Sequence, residues 1–348
     1  MAPTTQAPTK HEPPNSAAET NPFQTLIMLA GGACLPRSLH VVAELGVADA
    51  LDDEPRTAAQ LAASVGAHAD SLARVLRLLS SYGVFAIDGD KVRHTDASRL
   101  LRTDHPHSMR ALGRMFGLNI FWDAFSELEH TVRTGVPATT KTLPEGTWAY
   151  FEKNPEAGHI FNGAMVSKAQ AQMPAVVAGY DFSRFATIAD IGGGRGHLLH
   201  AILESNPTAR GILFDLPNVI KDAKGAASDR LKLHAGDFFK DPLPAADAYT
   251  IMEVIHDWAD AESLAIFKAI RKAAKPGAKL LVIEQLVPND SAPHWSKMLD
   301  IHMLTLLGGR QRTLEEYEAL LRPAGFSDLR VHATRSDVSI LEATASGA

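Results

Sequence analysis

The ten residues from Ile188 to His197, Ile-Ala-Asp-Ile-Gly-Gly-Gly-Arg-Gly-His, constrain the fold of this chain more strongly than any other stretch. The apolar residues that begin the stretch suit a buried strand. Gly192, Gly194 and Gly196 free the backbone for close approach to a ligand at the start of the following helix. We therefore predict a strand, a glycine-rich turn and a helix that together bind a nucleotide.

The spacing of these glycines narrows the kind of nucleotide. A dinucleotide fingerprint that starts at Gly192 requires a third glycine at position 197, where this chain has a histidine. Asp190 precedes the turn, and its carboxylate would repel a pyrophosphate but attract a ligand that carries a sulfonium or an ammonium group. The pattern therefore favours S-adenosylmethionine.

Two later apolar strands also end in carboxylates. Asp215 ends the second strand, where an acidic side chain can accept hydrogen bonds from both ribose hydroxyls. Asp237 and Phe238 follow the third strand and offer a carboxylate to the adenine amino group and an aromatic face beside the ring. The alternatives are that Asp215 caps the next helix and that Gly236-Asp237 is an ordinary turn.

The residues suited to catalysis come at the end of the fourth strand. His256 follows Ile251–Ile255 at the end of this strand, and histidine is the side chain best matched to accept a proton near pH 7. Glu284 ends the adjoining strand and can hold the second ring nitrogen of this histidine. The alternatives are a structural histidine that caps the following helix and a glutamate at the surface.

The length of 348 residues indicates about two domains. The 45% of hydrophobic residues is enough for a core in each domain, as in an ordinary enzyme. The single Cys34 cannot form an internal disulfide, which favours the cytoplasm. We find no run of the roughly 18 to 20 apolar residues that a membrane helix needs, and we read residues 1–22 as a disordered tail. A net charge of −6 does not attract nucleic acid, and no bound metal is predicted.

Residues 23–106 predict helices followed by a hairpin that turns at Asp88-Gly89, which is a winged-helix layout. A winged helix raises the alternative of a DNA-binding regulator. In a DNA-binding regulator, Arg74 and Arg77 would lie on the recognition helix. The same helix turns also contain many leucine and valine residues, and the chain is acidic, and both features disfavour DNA binding. We therefore expect this part to pack against a second copy of the chain.

Residues 107–180 predict a helical segment rich in aromatic and methionine residues. Such a segment forms either a core or, because it lies beside the nucleotide domain, an apolar acceptor pocket. Asn162 is a polar residue inside an apolar run, where it either orients a substrate oxygen or makes an internal hydrogen bond. Residues 181–348 alternate strands with helices, which predicts a Rossmann-like α/β fold, a doubly wound and mostly parallel sheet with ligands beyond the carboxyl ends of its strands.

Six motifs in this order and spacing resemble the dimeric small-molecule O-methyltransferases, the family of plant caffeic acid, animal hydroxyindole and bacterial antibiotic-tailoring enzymes. The resemblance covers residues from about 23 to 345. The motifs are Asp190-Ile-Gly-Gly-Gly-Arg-Gly-His, Leu213-Phe-Asp-Leu-Pro, Gly236-Asp-Phe-Phe, Val254-Ile-His-Asp-Trp, Ile283-Glu284 and Gly308-Gly-Arg-Gln-Arg-Thr.

The resemblance implies a role for each matching residue. It implies that S-adenosylmethionine, which leaves as S-adenosylhomocysteine, contacts Gly192, Asp215, Leu216, Asp237 and Phe238. It makes His256 the general base and Glu284 a flanking carboxylate. It implies that Phe161, Asn162, Met165, His302 and Met303 border an acceptor pocket, with His302 either binding an acceptor hydroxyl or packing. It also implies a homodimer formed through the N-terminal winged-helix domain.

Two positions depart from the pattern of the plant members. Gln311 stands where they carry a second flanking glutamate, so that any role there is hydrogen bonding without charge. Met252 replaces a lysine four residues before the histidine and removes an adenosine contact. The sequence predicts methyl transfer from S-adenosylmethionine to a hydroxyl of an aromatic or polycyclic secondary metabolite. The alternatives with the same fold and cofactor are an N-methylating enzyme and a hydroxylase, decarboxylase or pericyclase.

Overall fold

A computed structural model describes residues 21–223, 225 and 227–347. Residues 1–20 of the tail predicted for residues 1–22 lie outside the described residues. The N-terminal part consists of helices α1 (Pro22–Ala30), α2 (Cys34–Leu45), α3 (Val47–Ala50), α4 (Ala58–Val65), α5 (Ala69–Ser80) and α6 (Asp96–Arg99), with strands β1 (Arg56–Thr57), β2 (Phe85–Asp88) and β3 (Lys91–His94).

Helices and a small antiparallel sheet of order β1-β3-β2 form the predicted winged-helix layout. A capping box starts α4, because the Thr57 side chain and the Gln60 side chain each accept a hydrogen bond from the other's backbone amide. The amphipathic helix α5 turns Leu72, Leu76 and Leu79 into the core. These leucines are therefore unavailable to a DNA groove. Helix α2 ends before Gly46, which adopts a left-handed φ of 67° and separates α2 from α3.

The first helix is apolar and exposed. None of its residues is buried, and Phe23, Leu26 and Leu29 are among its most exposed side chains. By length and composition alone, the stretch Pro22–Leu45 is long and apolar enough to cross a membrane, which corrects the expectation that no such stretch exists. A turn at residues 31–33 divides this stretch, and α2 packs Val42 and Ala43 into the core. An uncovered apolar helix at this position favours contact with another surface.

A helical segment joins the two parts of the chain. It comprises α7 (Arg110–Phe116), α8 (Asn119–Ser126), α9 (Leu128–Thr134), α10 (Thr139–Thr142), α11 (Thr147–Lys153) and the long α12 (Pro155–Ala178). Met115, Ile120, Phe121 and Ile160 are buried together in one cluster, so much of the aromatic segment is core, and Phe161 and Met165 pack half-buried at its edge.

The C-terminal part contains a seven-stranded sheet. Its elements are β4 (Thr187–Ile191), α13 (His197–Ser205), β5 (Arg210–Asp215), α14 (Pro217–Asp222), β6 (Leu231–Ala235), β7 (Ala248–Met252), α15 (Asp260–Ala273), β8 (Lys279–Glu284), α16 (Trp295–Leu306), α17 (Leu314–Leu321), β9 (Phe326–Ala333) and β10 (Ser339–Ala345).

The strand order β6-β5-β4-β7-β8-β10-β9 confirms the mostly parallel, doubly wound sheet. The first five strands run parallel, and β10 lies antiparallel between β8 and β9. Successive residues of one strand enter different cores: Ile188 packs on one face of the sheet and Ala189 on the other. The chain adds β5 and β6 on one side of β4 and then returns to add β7 and β8 on the other side. In sheets of this kind, ligands bind at the carboxyl ends of the strands where the order of strands changes in this way.

Several elements were missed or misjudged from sequence. The fourth strand was predicted to run to Ile255, but β7 ends at Met252 because Glu253 takes a left-handed φ of 51°. A short 3₁₀ helix, Ile255–Asp257, follows and is called the catalytic turn below. Helices α14 and α16 and the antiparallel pair β9 and β10 were not predicted.

Candidate active site

The glycine-rich turn lies between β4 and α13, at the carboxyl edge of the sheet. Gly192, Gly194 and Gly196 have φ values of 67°, 59° and 81°, which L-residues with side chains rarely adopt. A Cβ atom on Gly194 would meet nothing within 4 Å, so this residue faces open space. A Cβ atom on Gly192 would lie 3.0 Å from the Val254 side chain, which brings the glycine turn against the segment that precedes His256.

Asp215 braces this turn from the end of β5. Its Oδ2 accepts a hydrogen bond from the Gly194 amide at 2.8 Å, and its Oδ1 accepts one from the Leu216 amide at 2.7 Å. The alternative that this residue caps α14 is wrong, because the N-cap residue is Leu216, and the Asp215 side chain bonds to the amides of Gly194 and Leu216 rather than to the first amides inside the helix. Each carboxylate oxygen can accept a further bond, so Asp215 remains free to receive donors from a ligand.

Asp190 lies beneath the turn. It is 1% exposed, and its Oδ1 accepts a hydrogen bond from the Thr250 hydroxyl at 2.7 Å. Its Oδ2 is buried and has no partner in the part of the chain that the structure describes. Burial raises the pKa of this carboxyl to about 7. Asp190 therefore joins β4 to β7 under the ligand edge, and its attraction for a charged ligand stays a prediction.

An aromatic cluster stands at the end of β6. The Asp237 carboxylate accepts hydrogen bonds from the Phe239 amide at 2.9 Å and from the Lys240 ammonium at 2.8 Å, so the turn expected as an alternative is present. Phe238 and Phe239 pack edge to face on Trp258, with ring centroids 6.0 and 4.8 Å apart. Because Trp258 directly follows the catalytic turn, this cluster connects the predicted adenine side of the site to His256.

The glycine turn, Asp215 and the aromatic cluster fit the parts of S-adenosylmethionine. The open backbone at Gly194 admits close approach, a carboxylate stands where a ribose needs an acceptor, and aromatic faces can stack on a purine. Met252, at the end of β7, is half-buried and packs against the core on one face of the sheet.

His256 and Glu284 form a buried pair. The imidazole Nδ1 lies 2.7 Å from Glu284 Oε2, and the His256 amide donates to Glu284 Oε1 at 3.2 Å. Glu284 is fully buried, and the N-cap of α15 is Ala259 without a side-chain bond, so both alternative roles are wrong. Burial alone would lower the pKa of His256, but the Glu284 carboxylate, together with Asp257 and Glu253, outweighs it and raises that pKa to about 9.

The pair leaves one ring nitrogen for a reaction. With the Nδ1 proton held by Glu284, the neutral imidazole presents Nε2 as a proton acceptor. The Asp257 carboxylate lies 3.5 Å from this nitrogen and was not predicted from the sequence. The arrangement can accept a proton at Nε2 and stabilise the imidazolium that forms, which is the chemistry of a general base.

A segment from Gly308 to Arg312 supports the catalytic turn from behind. The Arg310 amide donates to the carbonyl oxygen of His256 at 2.8 Å. Arg312 is fully buried and donates to the carbonyl oxygens of Ile255 and Trp258 and to the Asp260 carboxylate. A Cβ on Gly309 would overlap the His256 carbonyl, so only glycine lets the two backbones lie this close. The motif was noticed in the sequence, but this supporting role was missed.

Gln311 belongs to the same segment. It is buried, and neither its amide nitrogen nor its amide oxygen has a partner among the described residues. Its backbone amide donates to the Asp300 carboxylate on α16 at 2.9 Å. Since buried amides are nearly always paired, a free donor and a free acceptor here suit a ligand or a water molecule.

The residues predicted to border the acceptor lie on α12 and α16. Phe161 stacks on Phe151 with centroids 4.6 Å apart, Met165 is half-buried, and Asn162 is exposed. Met303 is buried. His302 is enclosed by aromatic rings, its Nδ1 is buried without a described partner, and burial lowers its pKa to about 4. The surrounding rings are those of Phe116, Phe121, Phe125 and Trp295, at centroid distances of 4.8 to 6.3 Å.

Comparison with known proteins gives two family matches. Residues 125–327 match the O-methyltransferase domain, and residues 27–104 match the O-methyltransferase dimerisation domain. The chain is 39% identical to a phenazine O-methyltransferase of Lysobacter antibioticus, over 94% of this chain and 98% of that protein. It is 37% identical to a mitomycin biosynthesis 6-O-methyltransferase of Streptomyces lavendulae, over 90% and 92%. It is 35% identical to an 8-amino-8-demethylriboflavin N,N-dimethyltransferase of Streptomyces davaonensis, over 87% and 90%.

Solved structures agree with these sequence matches. A methyltransferase of calicheamicin biosynthesis, bound to S-adenosylhomocysteine, superposes with a TM-score of 0.85 at 32% identity, over 94% of this chain and 99% of that one. An O-methyltransferase from neocarzinostatin biosynthesis, in complex with S-adenosylhomocysteine and 1,4-dihydroxy-2-naphthoic acid, gives 0.74 at 34% identity, over 94% and 100%.

Proposed function

Because this chain belongs to the O-methyltransferase family and uses S-adenosylmethionine, we propose that it methylates a hydroxyl group of an aromatic or polycyclic secondary metabolite with His256 as the general base. The observation that carries this proposal is the buried contact of 2.7 Å between His256 Nδ1 and Glu284 Oε2. That contact leaves Nε2 as the proton acceptor. A glutamate held in this way fixes the ring orientation and favours the charged form of the histidine after it has taken the proton.

The donor supplies a methyl group already activated on a sulfonium sulfur. The residues that would hold it are Gly192, Gly194, Asp215, Leu216, Asp237 and Phe238, with Asp190 supporting the turn from below. The protein's own part is to orient the acceptor, to exclude water and to take the hydroxyl proton at Nε2 of His256. Orientation of two bound reactants can supply several kcal/mol of the acceleration.

The acceptor is proposed to lie among the aromatic rings between α12 and α16. Phe161, Met165 and Met303 would provide apolar surface, and Asn162 would approach from the exposed face of α12. His302 would offer a neutral hydrogen-bonding group, because its low pKa keeps the ring uncharged at neutral pH. This lining suits a flat, largely apolar acceptor with few polar groups.

We also propose that the functional unit is a cytoplasmic homodimer. Support comes from the match of residues 27–104 to a dimerisation domain and from the uncovered apolar residues of α1. Phe23, Leu26 and Leu29 would be covered by the second copy. This reading also replaces the DNA-binding alternative, because α5 points its leucines into its own core.

Two substitutions test the proposed roles. His256→Ala should abolish methyl transfer while binding of S-adenosylhomocysteine, measured by calorimetry, stays within a few-fold. Asp215→Ala should weaken that binding first. His107→Ala removes an exposed histidine between α6 and α7 and serves as the matched control. Loss of donor binding in His256→Ala would contradict the assignment, because the residue would then be structural.

The acceptor class needs a direct assay. Release of S-adenosylhomocysteine is measured with 1,4-dihydroxy-2-naphthoic acid and with matched hydroxyl and amino compounds on the same ring. The proposal predicts turnover of the hydroxyl compound. Turnover of only the amino compound would favour the N-methylating alternative. One relative of this chain is an N,N-dimethyltransferase, which is the reason for including this alternative in the assay. An acceptor consumed without formation of a methylated product would favour the non-methylating alternatives.

A further inference from the structure

A buried ion pair joins the acceptor-side helix to the end of the catalytic strand. Phe161, Met165, Lys168 and Gln172 follow one another at helical spacing along one face of α12. The face is therefore apolar toward its N-terminal end and polar toward its middle. Lys168 Nζ lies 2.6 Å from Glu253 Oε1, and the two side chains are only 20% and 15% exposed.

Glu253 occupies an unusual backbone position. It directly follows β7, three residues before His256, and it has a left-handed φ of 51°. Such a conformation is unfavourable for a residue with a Cβ atom and persists only where surrounding contacts hold it. The Glu253 amide donates to the carbonyl oxygen of Ile283 at 3.0 Å, so the residue is fixed on one side by β8 and on the other by Lys168.

The pair belongs to a small polar network. The Gln172 amide donates to Glu253 Oε1 at 3.4 Å and to Asp337 Oδ1 at 3.0 Å. Gln285, which follows Glu284 in sequence, donates to Asp337 Oδ2 at 2.6 Å. This network ties α12 to the ends of β7 and β8 and to the loop between β9 and β10. None of its members has a role in the proton transfer proposed above.

Most of the charged groups around His256 are negative. Glu284 faces the ring from β8, Asp257 from the catalytic turn and Glu253 from the end of β7. Lys168, on α12, interacts with three of these carboxylates, Glu253, Glu284 and Asp257, and also with Asp337. Arg312 contacts the backbone on either side of the turn and is itself paired with Asp260. The Lys168 ammonium therefore offsets the carboxylate nearest to the start of the turn.

We propose that Lys168 and Glu253 are positioning residues that fasten the acceptor-side helix to the catalytic turn and balance the charge around His256. The inference rests on the role proposed for His256, but it goes further, because it assigns a function to a pair that touches neither reacting group. Burial alone would lower the pKa of Lys168 and raise that of Glu253. Their mutual attraction, with Asp337 and Glu284 acting on Lys168 and His256 acting on Glu253, outweighs burial in both, so both remain charged.

Charge balance predicts opposite effects for the two single variants. Lys168→Met leaves the Glu253 carboxylate uncompensated near the imidazole, which should raise the pKa of His256 by about one unit. Glu253→Gln leaves the ammonium uncompensated, which should lower the pKa of His256 by about one unit. The double variant K168M/E253Q is neutral at both positions and should return that pKa to within about half a unit of the wild-type value.

The experiment is an NMR titration of the full chain labelled at histidine Cε1, with His256 assigned from the spectrum of His256→Gln. It needs neither donor nor acceptor, so its failure is separate from failure of the proposed methyl transfer. Lys141→Met breaks an exposed lysine–glutamate pair elsewhere and should leave the His256 titration unchanged. Hydrogen exchange of residues 155–178 tests the fastening, and it should quicken in both single variants and in the double variant.

Opposite shifts in the two single variants and recovery in the double variant would support the charge balance. Shifts of the same sign, or none, would overturn it. Unchanged exchange in α12 would overturn the fastening. If the single variants do not fold, the double variant decides: a folded protein with wild-type titration supports the proposal, and an unfolded or shifted one refutes it.

Discussion

Glu284→Gln is the most direct test of the buried pair. The wild-type carboxylate accepts two hydrogen bonds, from the His256 ring at 2.7 Å and from the His256 backbone amide at 3.2 Å. A glutamine has the same shape but only one acceptor oxygen. If that oxygen keeps the backbone bond, its amide group donates to Nδ1, and the ring then carries its proton on Nε2. The variant would therefore hold the imidazole in the tautomer that cannot take a proton from the acceptor.

Two effects set the size of the loss. Removing the negative charge of Glu284 lowers the pKa of His256 from its value of about 9 by roughly 1 to 3 units, because an opposite charge at this distance is lost. Each unit removes about 1.4 kcal/mol of stabilisation from the imidazolium. The wrong tautomer adds a further penalty. Together we expect kcat to fall by about 10²- to 10⁴-fold, while donor affinity changes only a few-fold.

The assay is single-turnover methyl transfer at saturating donor, with the best hydroxyl acceptor found in the panel above. Glu342→Gln is a matched control, because Glu342 is also buried and accepts bonds from Arg184 and Tyr180, but it lies on the neighbouring strand β10, where it pairs with Leu281 rather than with the end of β8. It should lower the melting temperature without changing kcat of the folded protein. A Glu284→Gln enzyme within tenfold of the wild type would refute the reasoning, since neither charge nor tautomer would then matter.

Three further predictions concern the same site. When the donor is the varied substrate, kcat/KM depends on a neutral His256 in the donor-free enzyme. This kcat/KM should therefore rise about tenfold per pH unit from pH 7 and level off near pH 9, and a flat profile in this range would be inconsistent with the pair. Because the pKa of His256 is raised from 6.5 to about 9 on folding, protonation of this residue stabilises the folded protein. This contribution is present in full below pH 6.5 and is lost as the pH rises through 9. The free energy of unfolding of the wild type should therefore fall relative to that of His256→Ala over that window. Gly309→Ala should remove activity and lower stability by about 2 kcal/mol or more, because the new methyl overlaps the His256 carbonyl, and a normal melting temperature would contradict the observed packing.

The features that could be predicted are those written in neighbouring residues. The turn around Gly192 and Gly194 is a local pattern, and parallel strands that alternate with helices bring His256 and Glu284 to one edge of the sheet. The pairing of these two residues was therefore accessible from strand order alone. The end of β7 was missed because the left-handed conformation of Glu253 reflects tertiary contacts that no local propensity encodes.

Most of the features that could not be predicted from the sequence are long-range polar contacts. Arg312 lies in a polar segment that suggests a surface loop, yet it is fully buried because the carbonyl oxygens of the catalytic turn need donors. The partners Lys168 and Glu253 are far apart in sequence, on a helix and a strand end that meet only in the fold. The strand β9, which pairs with β10, consists mostly of exposed residues and includes charged ones, so its sequence does not have the apolar pattern that predicts a strand.

A base with a pKa near 9 is mostly protonated at neutral pH, so the donor's own charge becomes part of the mechanism. Methyl transfer requires reacting atoms within about 3 to 3.5 Å, which brings a sulfonium within a few more ångströms of the ring that deprotonates the acceptor. A positive charge at such a distance lowers the pKa of the histidine by roughly 1 to 3 units, whereas the neutral sulfur of the product does not. We therefore expect S-adenosylmethionine to lower the pKa of His256 in the NMR titration and S-adenosylhomocysteine to leave it near 9. Equal titration with both ligands would mean that the base is not released by donor binding, and that the proton must leave the acceptor by another route.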